Sequence, residues 1–289
     1  MSTKQLHYDF ADRAWQVVVG CDNTIPCWKA CWAKRTVARL AGSPNALTAA
    51  AHAGLVRVLS AKAQAAGAPG LAWTGAVRIN EAHLNDPLKW RKPAIIATGF
   101  HGDWGLLSVP DKDQMFDVME RCRHHQFFPL TKHHLSEHVD YLSNRAPLSN
   151  VNIGVSVMEQ DDAAETLRKA RWISEAGWKV HCWHEPAIGP VDWRGWEFLT
   201  WLVVGGQSAG TDEFNTQWAY DAIRWGRASL VPIKIKQLGS HPVSCENCPI
   251  DCQCGFHHGF NDRRGSDPSE WPQGLRVREM PEAQGVREK

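Results

Sequence analysis

The sequence predicts an α/β protein: a complete or partial (β/α) barrel of parallel strands, with a C-terminal Cys-rich metal-binding extension. Three observations carry this. Short apolar runs recur, AIIATGFHGD, FFPLTKHH, VNIGVSVMEQ, KVHCWHEP, WLVVGGQS and LVPIKIKQLG, each bounded by polar or glycine residues at its C-terminal end. Helical patterns lie between them, over 113–125, 135–142, 163–176 and 218–228. Continuous apolar strands alternating with amphipathic helices argue for a parallel sheet covered by helices. Finally, four cysteines crowd the chain after the last strand. The expected boundaries are 1–240 for the barrel core and 241–289 for the extension, packed on the barrel mouth. An open doubly wound sheet is the runner-up.

Taken in order, residues 15–19 form the first strand and end at Gly20, where a loop carries Cys21, Cys27 and Cys31. A helix over 32–40 stops at the Gly/Ser/Pro/Asn break 42–45, and an alanine-rich helix over 46–66 stops at 67–70. A strand candidate at 76–80 precedes HLNDPLKWRKP, which Pro87 and Pro93 hold out of regular structure. The strand and helix alternation then begins at Ala94.

With 289 residues the chain can bury a core of its own, and Lys+Arg 32 against Asp+Glu 31 gives a net charge of +1. That balance does not mark a general polyanion binder, so nucleic-acid contact has to be local. No apolar run approaches the ~18 residues of a membrane helix, and MSTKQLHYDF lacks a signal-peptide core. A cytosolic protein is expected. Nine cysteines, an odd number, argue against a disulfide framework there; seven fall in two clusters, as metal sites produce. Cys122 and Cys182 stand alone and read as small buried hydrophobes.

The first cluster has the spacing C-x5-C-x3-C, so Cys27 and Cys31 share one face of a helical turn while Cys21 folds back toward them. Thiolates suit zinc, copper(I) and iron–sulfur clusters. A structural zinc wants four protein ligands, whereas three cysteines leave one position open for a substrate or cofactor. Zinc completed by a histidine, an iron–sulfur cluster and three unrelated buried thiols all remain open on spacing alone. The second cluster, Cys245, Cys248, Cys252 and Cys254, can close a tetrahedron by itself. Structural zinc there contributes on the order of 10 kcal/mol; a second iron–sulfur cluster is the rival, and His257 or His258 can replace one cysteine.

Barrel chemistry sits at the C-terminal strand ends. Those ends carry Glu81, Asp103, Thr131, Lys132, Ser156, Glu159, Gln160, His184 and Glu185. Gly205, Gly206, Gln207 and Ser208 resemble a backbone nest for a carboxylate or phosphate. Each has a plainer use, as a helix cap, rim salt bridge or core pair. Tryptophan is frequent, 15 against 3 Tyr. Core packing is its commoner use; Trp28 and Trp104 are the best candidates for stacking on a base.

The order of motifs, GC-x5-C-x3-CW, LNDPLKWRKP followed by a strand and Asp103, PLTK, NIGVSVMEQ, HEPAIGPVDW, VVGGQSAG, IKQLG and DPSEWPQGLRVREMP, resembles a bacteriophage-associated family of unknown function related to radical S-adenosylmethionine (radical SAM) proteins. The likeness runs from Trp15 to Pro281. It implies a radical-SAM-like barrel, a [4Fe–4S] cluster on Cys21, Cys27 and Cys31, and S-adenosylmethionine on the fourth iron. An external electron donor then drives reductive cleavage to a 5'-deoxyadenosyl radical. The loop departs from the C-x3-C-x2-C spacing usual in radical enzymes. On this resemblance Ser156, Glu159 and Gln160 bind ribose or methionine, and Gly205 and Gly206, with Gln207 and Ser208, receive the cofactor. Lys132, Asp103, His184 and Glu185 face the substrate. The phage association points to a nucleobase, in DNA or as a nucleotide, as what is modified in the host cytoplasm; isomerase, lyase and transferase outcomes are equally compatible.

Two other classes compete. A zinc-binding, non-catalytic nucleic-acid-binding or nuclease-partner protein uses both cysteine clusters structurally. A metal-dependent hydrolase needs more carboxylate and histidine ligands than Asp103, His184 and Glu185 supply.

Overall fold

The computed structural model describes residues 10–25, 27, 29, 31–65, 70–133, 136–208, 211–243 and 255–281. Its chain contacts divide into two compact units, one up to Ile153 and the other from Gly154. The fold is α/β, with seven strands in one sheet: β1 (Arg13–Trp15), β6 (Ile95–Thr98), β8 (Gln126–Thr131), β9 (Asn152–Val157), β10 (Lys179–His184), β11 (Trp201–Gly205) and β13 (Ile233–Gln237), adjacent in that order. The pairings β1–β6, β6–β8, β10–β11 and β11–β13 are parallel. Strand order follows chain order, with β1 and β13 at the ends, so the sheet is the partial form of the expected barrel.

In the first unit the single strand expected over 15–19 is two. β1 enters the large sheet, and after Gln16 and Val17 the chain re-forms β2 (Val18–Gly20) in a separate small sheet, antiparallel to β5 (Arg78–Ile79) and parallel to β7 (His101–Gly102). Val17 is fully buried and its carbonyl accepts from Asn80 N–H (2.7 Å), so the break itself is held in place. The strand expected over 76–80 shrinks to β5, and the Asn80–Val17 bond continues the register in which Val18 faces Ile79.

The helix expected over 46–66 is also broken. α1 (Ala33–Ala41) forms within a residue of its expected bounds, whereas α2 (Ala46–His52) starts as expected but stops after seven residues; Asn45 caps it, accepting from Thr48 N–H at 3.0 Å. Gly54 then turns the chain at φ +72°, and Val56-Arg57-Val58 pairs as β3 (Val56–Val58) with β4 (Leu71–Trp73) before the short α3 (Ala61–Ala65). Two β-branched residues in three outweigh the flanking alanines. α4 (Glu81–Leu84) begins at Glu81, whose exposed side chain belongs to a helix first turn.

α5 (Val109–Arg121) starts four residues earlier than expected. Ser108 caps it by accepting from Asp111 N–H (3.3 Å), and Pro110 suits the first turn. Its buried face, Met115, Phe116 and Met119, packs under the sheet with Trp104, Phe127 and Trp15; the Trp15 and Phe127 rings lie 5.6 Å apart. α6 (Ser136–Ser143) precedes β9. Cys122 is buried, as expected of a lone cysteine.

The second unit holds α7 (Gln160–Glu175) between β9 and β10, and α8 (Thr216–Ser229) before β13. A two-stranded sheet pairs β12 (Phe214–Asn215) with β14 (Pro242–Val243). Tryptophan here builds core: Trp193 touches Trp196 and Trp225, with centroids 5.9 Å away in each case. Among the described residues near the C-terminus, Glu279 is tied to β13. Glu279 N–H donates to Ile233 O (2.9 Å), and its carboxylate accepts from Ile233 N–H (2.8 Å). Cys182 is buried in β10.

His184 closes β10 fully buried. Its Nε2–H is shared between Met158 O and Gly189 O, both at 3.0 Å, and burial lowers its pKa to about 4. The native state therefore holds it neutral. A folded pKa below the unfolded 6.5 means that the unfolded chain binds the proton first. Stability is complete above about pH 6.5 and falls as pH drops toward 4, by on the order of 3 kcal/mol from this residue. Thermal melts across that window are expected to show the loss, and His184→Gln to flatten it.

Candidate metal centre at the end of β2

β2 ends at Gly20, and the next residue is Cys21. Gly20 has φ +99°, and a Cβ there would stand 2.1 Å from Ala76 O. Only glycine allows the turn that sends Cys21 off the strand. Asn23 then fastens the loop: its Nδ2 donates to Trp73 O (2.8 Å), and its Oδ1 accepts from Trp73 N–H (3.0 Å). Cys21, Cys27 and Cys31 are all of intermediate exposure. Cys21 and Cys31 rest against the cluster of Val19, Ala33, Val37, Leu55 and Trp73.

The three thiols feel one another. Burial, then the Asp103 carboxylate, push the Cys21 pKa well up, and Cys27 and Cys31 add to the rise. Burial pushes Cys27 up to about 11, with Lys132 pulling it down and Cys31 pushing it up. Without a cation the Cys21 and Cys27 thiols stay protonated, and a coordinating metal would supply the charge that stabilises their thiolates. Three cysteines with a lysine beside them fit an iron–sulfur cluster.

A second set of donors overlaps the first. His133 Nε2 lies 3.4 Å from Cys21 Sγ and 3.4 Å from Asp22 Oδ1, and the ligand atoms of Cys21, Asp22 and His133 all fall within 4.8 Å of one another. Thr24 Oγ1 is 3.5 Å from His133 Nδ1. The imidazole is 6% exposed and its backbone N–H donates to Thr131 Oγ1 (3.1 Å). The sequence reading passed over His133, although it directly follows Lys132 at the end of an apolar run.

Asp103 is a strut. Buried to 7% exposure, it accepts from Thr131 Oγ1–H (2.6 Å) and Gly105 N–H (2.9 Å) on Oδ1, and from Lys132 N–H (2.8 Å) on Oδ2. It ties the end of β7 to the end of β8 and so sets His133 and Lys132 beside the cysteines. Asp103→Asn places an amide N–H against one of these donors. A cost of about 2 kcal/mol is expected, read as a lower denaturant midpoint with an unchanged slope. Trp104, a stacking candidate, is fully buried against Phe116 and His138, with centroids 5.8 and 5.0 Å away. Trp28, Cys245, Cys248, Cys252 and Cys254 lie outside the described residues.

The remaining candidates belong to the second unit. Ser156 Oγ–H is shared between Trp183 O (3.0 Å) and Glu185 O (3.1 Å). Glu159 caps α7 in a reciprocal box with Asp162, and Gln160 Oε1 accepts from Asp192 N–H at 2.7 Å. Glu185 forms a half-buried ion pair with Lys236 and accepts from Gln237 Nε2 at 3.2 Å. Lys236 also lies over the Trp183 ring, 5.2 Å from its centroid. Lys236 and Gln237, inside the IKQLG motif, are further polar residues at a strand end. Gly205 sits where the β11–β13 register shifts, within reach of Gln237 and Glu185. A Cβ on Gly206 would meet Leu238 O at 2.5 Å, so that glycine admits the chain's own backbone. Gln207 Nε2 donates to Asp212 (2.9 Å), and Ser208 is partly exposed beside it.

Fold and site define a class: an α/β protein with a parallel partial-barrel sheet and, after the end of β2, a loop that carries three cysteines. The chain belongs to the family described as "Protein of unknown function (DUF5131)", whose profile matches residues 5–280. No curated protein matches its sequence. Among solved structures it is similar to a point mutant of spore photoproduct lyase, with TM-score 0.35 and 13% identity, over 66% of this chain and 55% of that one. A second is spore photoproduct lyase complexed with dinucleoside spore photoproduct, with TM-score 0.34 and 12% identity over the same shares. The chain thus spans little more than half the length of those proteins. No described helix is long and apolar enough to cross a membrane.

Proposed function

We propose that the protein is a radical SAM iron–sulfur enzyme acting on a nucleobase or nucleotide, as in hypermodification of phage DNA. The observation that carries the reading is the gathering of Cys21, Cys27 and Cys31, in one another's electrostatic reach, at the end of β2. A [4Fe–4S] cluster on these three sulfurs, with S-adenosylmethionine at its open iron and an external electron donor, supplies reductive cleavage to a 5'-deoxyadenosyl radical. This chain's residues do the rest. Lys132 offsets thiolate charge beside Cys27, and Asp103 holds Lys132 and His133 in place. Ser156, Glu159, Gln160 and Gly205 to Ser208 are proposed for the cofactor, and His184 and Glu185 for the substrate side. The extension 241–289, with a second zinc or iron–sulfur site, and a cytosolic location complete the proposal.

The Cys21, Asp22 and His133 group supports a second reading, a mononuclear zinc in a non-catalytic nucleic-acid-binding protein. Anaerobic reconstitution separates the two. On the radical reading the protein is brown and binds iron and sulfide, and His133→Ala keeps both. Colourless protein whose zinc is lost in His133→Ala but kept in Cys27→Ala overturns it.

A further inference from the structure

The net charge of +1 conceals a strong asymmetry. Residues 21–94 hold ten Lys and Arg against three acids, Asp22, Glu81 and Asp86, a surplus of seven, so the rest of the chain is net negative by six. This stretch is the excursion between β2 and β6 that carries α1, α2, β3, α3 and β4. Arg35 and Arg39 lie one turn apart on α1 and are exposed, as are Arg57 on β3, Lys62 on α3 and Arg78 on β5. Arg78 donates to Ala53 O; none of the five has a carboxylate partner among the described residues. Unopposed cations on neighbouring elements repel each other, and among the described residues only Arg78 of the five is tied into the fold, through its bond to Ala53 O.

The elements are packed together. Lys34 Nζ, buried on α1, donates to Leu71 O (2.9 Å) of β4, and β3 pairs with β4. Between Cys31 and α1 stands Trp32, 41% exposed, its ring edge-on to His101 with centroids 6.3 Å apart. An exposed aromatic among unpaired arginines is the composition of a surface that tracks a sugar–phosphate backbone and stacks a base. Asn23 joins this excursion to the cysteine loop through its paired bonds to Trp73.

We infer that the excursion is a nucleic-acid-binding surface, holding the phosphodiester backbone of a strand on Arg35, Arg39, Arg57, Lys62 and Arg78 beside the cysteine loop. The inference deepens the proposed function by making the substrate a polynucleotide instead of a free nucleotide, and it rests on that reading only for the chemistry done there.

The test is fluorescence anisotropy of the full chain with labelled single-stranded and duplex oligonucleotides across a salt series. The expected result is binding that weakens with salt, with affinity at least about tenfold lower in Arg35→Glu/Arg39→Glu and a log–log salt slope shallower by about 2. Unchanged thermal melting establishes that the variant folds, and Arg57→Glu/Lys62→Glu serves as a second, independent variant. Arg227→Glu, exposed on α8 of the other unit, is the control. Whichever oligonucleotide binds more tightly identifies the strand form. Failure of both to bind, equal weakening by Arg227→Glu, or binding only to vesicles of anionic phospholipid overturns the inference. Iron and sulfide content are read separately: binding without a cluster leaves the surface standing and removes the radical reading, while a cluster without binding does the reverse.

Discussion

Replacing any one of Cys21, Cys27 and Cys31 with Ala is expected to remove the iron and sulfide of the loop cluster: nearly all of the reconstituted total where the Cys245–Cys254 site holds zinc, and about half where it holds a second cluster. Each supplies one of only three sulfurs, and a cluster ligated by two is labile because no described cysteine replaces the third; Cys122 and Cys182 are buried at other elements. Cys122→Ala and Cys182→Ala therefore serve as controls that keep full iron. The loop variants should retain their far-ultraviolet circular dichroism, since Cys21 and Cys31 only flank the small apolar cluster around Val37 and Leu55. Undiminished iron in all three variants would place the metal elsewhere and end the radical reading.

Gly20→Ala is expected to be the most damaging small substitution at the site. Two costs add: a positive φ that an L side chain rarely adopts, and a methyl carbon placed 2.1 Å from a backbone carbonyl oxygen that cannot swing aside. Together they amount to roughly 3 kcal/mol or more, visible as a fall of several degrees in Tm. Because the strained residue directly precedes Cys21, the folded fraction should also load less iron. Gly75→Ala is the instructive contrast, with φ +89° but nothing within 4 Å of the added carbon. It bears the backbone cost alone and should load normally.

Much of the sheet was legible because β8, β9, β10 and β11 are short, largely apolar runs, and α6 and α7 lie between the first three of them. The excursion was not. Alanine in 46–66 reads as helix on local propensity, yet Gly54 and the pair Val56 and Val58 turn the chain into a hairpin whose reason is its partner β4, fifteen residues downstream of Arg57 at Ala72. The three cysteines of the loop were legible as a candidate cluster from their spacing after a strand end. The placement of His133 was not, because it depends on Asp103 reaching across from β7 to Thr131, a contact between residues 28 apart. Glu185 was found from its strand end, but its partner Lys236 lies 51 residues on and looked like one more polar residue in an alternating strand. Side-chain partners across parallel strands leave no local pattern to read.

The two bonds between Asn23 and Trp73 tie the thiol-bearing turn to the arginine-rich excursion. To the extent that those bonds couple the two, a strand that clasps the excursion makes opening of that turn less favourable. On the proposed radical reading, a bound strand then shields the cluster from oxygen, and the survival time of the reconstituted cluster in air, with and without strand, would report that shielding.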